Sequence, residues 1–251
     1  METFAVPYHL DQFISGFDVG VPVDRQIHAD LPESDTWERM GVLYGLVALA
    51  VSTCALPVLV VSGDCTTSLG VLAGLQRAGR DPGIVWIDAH GDFNTEATSP
   101  SGYLGGLPLA LAVGIGTLTL PHQLRLRPVP PSRVVLIGAR DIDPDEGRLL
   151  EQSLVGRHGL DLTATDLPDG DLHLHIDIDI CDPTAVPDLL FPAADGPHLD
   201  DVVAAIRRVT DSRRVVAVDL AATWHQNGPF ASTQRDAMRH IADAVGIDRH
   251  Y

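Results

Sequence analysis

The sequence predicts an α/β fold built on a mainly parallel sheet with helices on both faces, and three observations carry that expectation. Short β-branched runs at residues 58–61, 84–87, 134–137 and 215–220 recur between longer helix-compatible segments at residues 37–54, 66–78 and 199–209. Such alternation is the pattern of βα units, whose crossover helices cover a parallel sheet. Residues 172–180 alternate strictly, with Leu172, Leu174, Ile176, Ile178 and Ile180 on one face and His173, His175, Asp177 and Asp179 on the other, the period-two signature of a strand. Finally, 45% hydrophobic residues against 20% charged supply apolar surface for a large core and lack the composition that keeps chains disordered. Residues 1–251 are read as one domain, a common size for this class.

In chain order, the helical stretch 37–54 leads to the strand at 58–61, which runs into Ser62-Gly63-Asp64-Cys65 and then the helical segment 66–78. The strand at 84–87 delivers Asp88-Ala89-His90-Gly91-Asp92. Residues 102–106, rich in glycine, and 121–132, rich in proline, read as surface loops before the strand at 134–137. The alternating stretch 172–180 gathers its polar residues toward its C-terminal end and is stopped by Asp182-Pro183, where Asp182 reads as a turn former. A helix at 199–209, a strand at 215–220 and a helix-like segment at 233–245 complete the pattern, with no internal repeat or low-complexity tract. Open α/β sheets bind ligands outside the carboxyl ends of their strands, where Asp64, Asp88 and Asp177 all fall.

With 34 acidic against 17 basic residues the formal charge is −17. That charge repels phosphodiester backbones and anionic lipid, so nucleic acid and membrane are excluded as expected partners. No stretch approaches 18 uninterrupted apolar residues, and Met1-Glu2-Thr3-Phe4 lacks the layout of a signal peptide, so a cytoplasmic protein is expected. Cys54, Cys65 and Cys181 match no disulfide framework or zinc ribbon, and at least one thiol is free.

The chemistry is carried by Asp88, His90 and Asp92 together with Asp177 and Asp179. Carboxylate oxygens with an imidazole at spacing two suit a pair of divalent ions about 3.5–4 Å apart, which polarise a bridging water into a hydroxide nucleophile. In an extended backbone Asp88, His90 and Asp92 point one way and converge; the bland alternative is a solvated strand end. Asp177 and Asp179 on one strand face repel each other unless a cation lies between them. A metallohydrolase is the expected class.

These motifs, in this order and spacing, resemble the three metal-binding motifs of the arginase (ureohydrolase) family, and the similarity extends over most of the chain. The resemblance implies a three-layer α/β/α fold and a binuclear manganese site that hydrolyses guanidino carbons. Carried over by position, one Mn2+ is held by Cys65, Asp88, Asp92 and Asp177 and the other by Asp88, His90, Asp177 and Asp179, with Asp92 also handling the catalytic proton. Asn94 and Ser101 match positions that receive a substrate α-carboxylate, and Asp143 the carboxylate that faces its α-ammonium, which implies a small amino-acid substrate. Set apart from the resemblance, Asn94 suits an Asx-turn and Ser101 a loop hydroxyl.

Three departures bear on activity. Cys65 stands where the family has histidine; ligating as thiolate it adds negative charge and lowers Lewis acidity, and the alternative is a buried thiol near a helix N-terminus. Gly105 stands where the family has a proton-shuttling histidine, and Ala222 where a glutamate pairs with the guanidinium. A permanently charged guanidinium without a carboxylate partner binds poorly, whereas an N-hydroxyguanidine is less basic and brings its own hydroxyl. A subgroup of the family with cysteine in the first motif acts on Nω-hydroxy-L-arginine, giving hydroxyurea and L-ornithine in D-cycloserine biosynthesis, and the resemblance extends to it. The alternatives are an arginase or other guanidino-acid ureohydrolase, and a non-catalytic metal-binding relative. His173 and His175 are expected deeper in the sheet, hydrogen-bonded to neighbours; Cys181 reads as a small buried hydrophobe, and Tyr103 replaces an asparagine of the substrate loop. A monomer is expected.

Overall fold

The computed structural model describes residues 1–246. A strand β1 (Glu2–Val6), a small antiparallel hairpin of β2 (Tyr8–His9) and β3 (Gln12–Phe13), and an edge strand β4 (Arg25–Gln26) precede the first helix, α1 (Thr36–Thr53). Then come β5 (Val58–Ser62), α2 (Thr67–Arg77), β6 (Gly83–Ile87), the short helices α3 (Pro108–Ala112) and α4 (Thr119–Leu124), β7 (Val134–Ile137), α5 (Pro144–Gln152) and β8 (Gly156–His158). The remainder is β9 (Leu172–Asp177), α6 (Leu199–Thr210), β10 (Val215–Ala221) and α7 (Ala231–Val245). Eight strands form one sheet in the order β4-β1-β5-β10-β9-β6-β7-β8, every pairing parallel.

Strand alternation divides the core in two. Phe4, Val58, Val60, Ile84 and Leu136 pack with α1 to α5 on one face. Leu59, Val61, Val85, Ile87, Leu172, Leu174, Ile176 and Val218 pack with α6 and α7 on the other. Buried on both sides, the strands read as apolar runs, as parallel strands do. The exception is a polar row on the first face: register places Asp219 beside His175, and His175 beside Trp86.

Three expectations need correction. The alternating segment 172–180 is not one strand: β9 ends at Asp177, whose Oδ1 accepts from Asp179 N at 3.0 Å and turns residues 178–180 into a single 3-10 turn. Residues 121–132 are not wholly loop, because α4 takes in Pro121. The proline sits in the first helical turn, where no intrahelical N–H bond is lost. The loop at 102–106 is partly helical, a 3-10 turn at Leu104–Gly106 with Gly105 buried. The strands β1, β4 and β8 carry little local signal, since their pairing partners lie elsewhere in the chain. No helix among the described residues is long and apolar enough to cross a membrane.

Candidate metal centre

The candidate ligands gather at the C-terminal end of the sheet because β9 and β6 are neighbours and β5 lies one strand beyond β9, across β10. Asp88 follows β6, Asp177 ends β9, and Cys65 sits in the turn from β5 into α2. Two groupings result among the described residues. Donor atoms of Cys65, Asp88, Asp92 and His175 lie within 4.8 Å of one another, and so do those of Asp88, His90 and Asp179. Asp88 is common to both. Asp177 belongs to neither grouping but borders the first, its Oδ2 accepting from Cys65 Sγ at 2.8 Å and its Oδ1 from Thr223 Oγ1. His90 Nδ1 lies 3.2 Å from Asp179 Oδ2 and 3.4 Å from Asp88 Oδ1.

Two elements of the expected geometry differ. Asp88, His90 and Asp92 do not converge through an extended backbone: Asp92 has φ 49°, so a left-handed turn swings its carboxylate toward Asp88. Asp64 does not join the cluster. Its oxygens accept from Thr66 N at 2.7 Å and Leu10 N at 2.6 Å, so it organises the turn that presents Cys65.

The donor set fits divalent cations. Asp92 Oδ2 and Asp179 Oδ1 are buried with no hydrogen-bond partner among the described residues, a costly condition unless something positive is to sit beside them. Burial, then the charge of Asp88, push Asp92 well above the usual carboxylate range, and burial with Asp177 and Asp88 does the same to Asp179. Asp177 is raised to about 6, chiefly by burial and then by Asp88. Burial and the surrounding carboxylates, Asp177 first, push the Cys65 thiol up. Burial opposes the charge on His90, yet hydrogen bonds to Asp179 and Asp88 outweigh it and lift His90 to about 12. Carboxylates at this density need countercharge, and in the protein alone His90 supplies it.

Above the cluster opens a cavity of about 370 Å³ reached by Cys65, His90, Asp92, Asp177, Asp179 and Thr223 on one side and Asn94, Ser99, Ser101, Asp141, Asp143 and Glu146 on the other. All three expected substrate residues line it. Asn94 Nδ2 donates to Asp143 Oδ2 at 3.0 Å. Asp143 caps α5, and Glu146 ties that cap to the loop after His90 by accepting from Asp143 N at 3.1 Å and Phe93 N at 2.8 Å. Ser101 Oγ accepts from Tyr103 N at 3.2 Å and keeps its place in an exposed loop.

Near positions 105 and 222 the wall is made by other groups. A Cβ at Gly105 would stand 2.3 Å from the Tyr103 ring, so that ring occupies the room a side chain there would need. Tyr103 Oη is 2.9 Å from His9 Nε2, and the ring lies 4.8 Å from Phe191. Ala222 is buried and does not line this cavity, whereas Thr223 does.

His173 and His175 are buried in the sheet as expected, both bonded to the Asp219 carboxylate. Burial works against the Asp219 charge, but His175 and His173 outweigh it and hold the carboxyl at about 2. Cys181 is enclosed in the apolar face toward α6 and α7, its thiol raised to about 12 mainly by burial. The sequence reading overlooked Glu146, Thr223, Phe191, His9 and Asp219. Of these only Glu146 carries a local signal, the capping pattern Asp143-Pro144-Asp145-Glu146.

Comparison with known proteins agrees with this architecture. The arginase family model matches residues 21–244. The arginase of Bacillus subtilis is 36% identical over 176 residues, 64% of this chain and 59% of that protein. The N(omega)-hydroxy-L-arginine amidinohydrolase of Streptomyces lavendulae is 33% identical over 192 residues, 74% of this chain and 66% of that protein. This chain thus spans less than two thirds of the length of these curated relatives. Among solved structures, arginase from Bacillus subtilis superposes with TM-score 0.81 at 24% identity, covering 100% of this chain and 99% of that one. Entamoeba histolytica arginase in complex with L-ornithine gives TM-score 0.81 at 20% identity, covering 98% of each. With the family model matched along nearly its whole length, the chain belongs to the arginase family.

Proposed function

We propose that this protein is a binuclear-metal amidinohydrolase, a single catalytic domain over residues 1–251, that cleaves Nω-hydroxy-L-arginine to hydroxyurea and L-ornithine with Mn2+ as its metal. The observation that carries the substrate is the reacting end of the cavity: Thr223 lines it in place of any acid from positions 222 and 223, and Tyr103 and Phe191 present rings. Such a wall suits a less basic N-hydroxyguanidine better than a permanently charged guanidinium. The likeness to the Streptomyces lavendulae amidinohydrolase supports the same substrate, and D-cycloserine biosynthesis is the setting we infer.

At the far end, Asp143 faces the substrate ammonium while Asn94, held by its bond to Asp143, and Ser101 take the α-carboxylate. Fixing that end places the guanidine carbon over the acidic cluster. Cys65, Asp88, Asp92, His90, Asp177 and Asp179 would hold the ions, which when bound lower the pKa of water and supply hydroxide near neutral pH. Water adds to the guanidine carbon, the bond to the ornithine side-chain nitrogen breaks, and a proton reaches the departing amine. Asp92 is suited to carry that proton at Oδ2, which no group among the described residues occupies.

Hydrolysis of plain L-arginine is the second reading, favoured by the arginases among the relatives. A discontinuous assay of ornithine release from both compounds, with Mn2+, on wild type and Cys65→His separates them. We expect turnover of the hydroxylated substrate alone by wild type and gained arginine activity in Cys65→His. A clear wild-type preference for arginine refutes the substrate assignment, and inertness toward both supports a metal-binding relative without turnover.

A further inference from the structure

His175 occupies an unusual position for a core histidine. It projects from the same face of β9 as Asp177, one pleat deeper, directly beneath the cluster of acids. Its Nδ1 bonds Asp219 Oδ2 at 2.5 Å, while its Nε2 is buried, with no partner among the described residues. A ring nitrogen of His175 lies within 4.8 Å of donor atoms of Cys65, Asp88 and Asp92 in the first metal grouping, and with Nδ1 taken by Asp219 it is Nε2 that is left to serve them. Trp86 fixes the ring plane by stacking at 3.6 Å between centroids, and the same indole donates from Nε1 to Asp88 Oδ2 at 3.1 Å.

We propose that His175 Nε2 is a ligand of the ion held by Cys65, Asp88 and Asp92, with Asp219 as its orienting carboxylate. This rests on the binuclear reading of the cluster. A carboxylate on one ring nitrogen, leaving the other bare toward the ion, is the arrangement by which proteins set the tautomer and angle of metal-binding histidines. His173 is the internal contrast: it bonds the other oxygen of Asp219 and is equally buried, yet belongs to neither grouping of possible ligands. His173 Nδ1 is likewise buried without a partner among the described residues, so what sets His175 apart is that a nitrogen of its ring lies among three other potential ligands. With His175 included, each ion has one imidazole, His90 for one and His175 for the other.

Cobalt substitution tests this without relying on turnover. In the Co(II)-loaded protein in water, proton NMR should show two strongly shifted imidazole N–H signals, from His90 and His175, and a near-ultraviolet thiolate-to-cobalt band from Cys65. His175→Gln should remove one N–H signal and weaken binding of the second cobalt on the order of 100-fold or more, read as metal per chain after gel filtration. His173→Gln should change neither. A single N–H signal in the wild type, or unchanged cobalt content and spectra in folded His175→Gln, overturns the proposal. The wild-type spectrum counts ligating imidazoles even if His175→Gln fails to fold. Failure of the wild type to bind cobalt at all overturns the binuclear reading itself, whereas two bound ions with one imidazole signal overturn only the role of His175.

Discussion

Cys65 Sγ donates to Asp177 Oδ2 at 2.8 Å, linking the ends of β5 and β9 over β10, which runs between them. The neighbouring Asp64 turns instead toward Leu10 and Thr66, accepting from their backbone N–H groups. Replacing the thiol removes a soft donor and leaves an Asp177 oxygen buried without its partner. Cys65→Ala should therefore bind one of two Mn2+ ions at least about 10-fold more weakly, with the other little changed, as titration calorimetry would show. Equal weakening of both ions would place Cys65 outside any single site.

The metal-free protein should lose stability as pH rises. Asp177 is raised from 3.8 to about 6 by burial and Asp88, and a raised group gives its full stabilisation below the unfolded value and loses it on passing the folded one. Asp92 and Asp179, pushed up by burial and neighbouring acids, extend the loss to higher pH. His90, lifted from 6.5 to about 12 by Asp179 and Asp88 against burial, loses its contribution over that interval. Melting temperature in chelator should thus fall between about pH 4.5 and about pH 8, and the stabilisation by added Mn2+ should grow over the same range. A metal-free melting temperature that climbs with pH would contradict the charge crowding described here.

The Tyr103 ring and Gly105 compete for one space. Gly105→Ala should cost about 1–3 kcal/mol in wild type and less than about 0.5 kcal/mol in a Tyr103→Ala background, where the ring is gone. Urea denaturation of the four proteins closes the cycle. Additive costs would mean that the Tyr103 ring is not the source of the Gly105→Ala penalty.

Tyr103, which lines the cavity, also meets His9 Nε2 through Oη at 2.9 Å, and His9 Nδ1 lies 3.0 Å from Gly63 O. Tyr103→Phe keeps the ring and breaks this link. If the pair helps proton traffic to the cavity, kcat should drop about 10–100-fold with KM little changed and the pH profile altered. A change confined to KM would make Tyr103 a wall alone.

Asp143 serves both α5 and the substrate pocket. Asp143→Asn retains the capping capacity and removes the charge expected to face the substrate ammonium. KM for the amino-acid substrate should rise about 10-fold or more, with melting temperature nearly unchanged. A des-amino analogue of the substrate should show no such difference between the two proteins.

The sequence by itself determined the α/β class, the strands at β5, β6, β7 and β10, and the acids at their ends, because strand and helix periodicity and buried apolar runs are local properties. It also led to the expectation that Asp88, His90, Asp92, Asp177 and Asp179 act together, since parallel strands deliver their C-terminal residues to one end of the sheet; the fold draws Asp88, His90, Asp92 and Asp179 into two groupings that share Asp88, with Asp177 beside Cys65. What only the tertiary structure decided was which side chains face one another across strands. Asp219 meets His173 and His175 through the pairing of β10 with β9, more than forty residues away in the chain. Asp64 and Cys65, adjacent in sequence, part company because a turn directs one carboxylate to backbone N–H groups and the thiol to Asp177. The Tyr103 ring fills the space beside Gly105, and Phe191 reaches the cavity from a separate loop. Periodicity specifies the face of a strand on which a residue lies; register between strands and the path of loops set the distance from that residue to its partner.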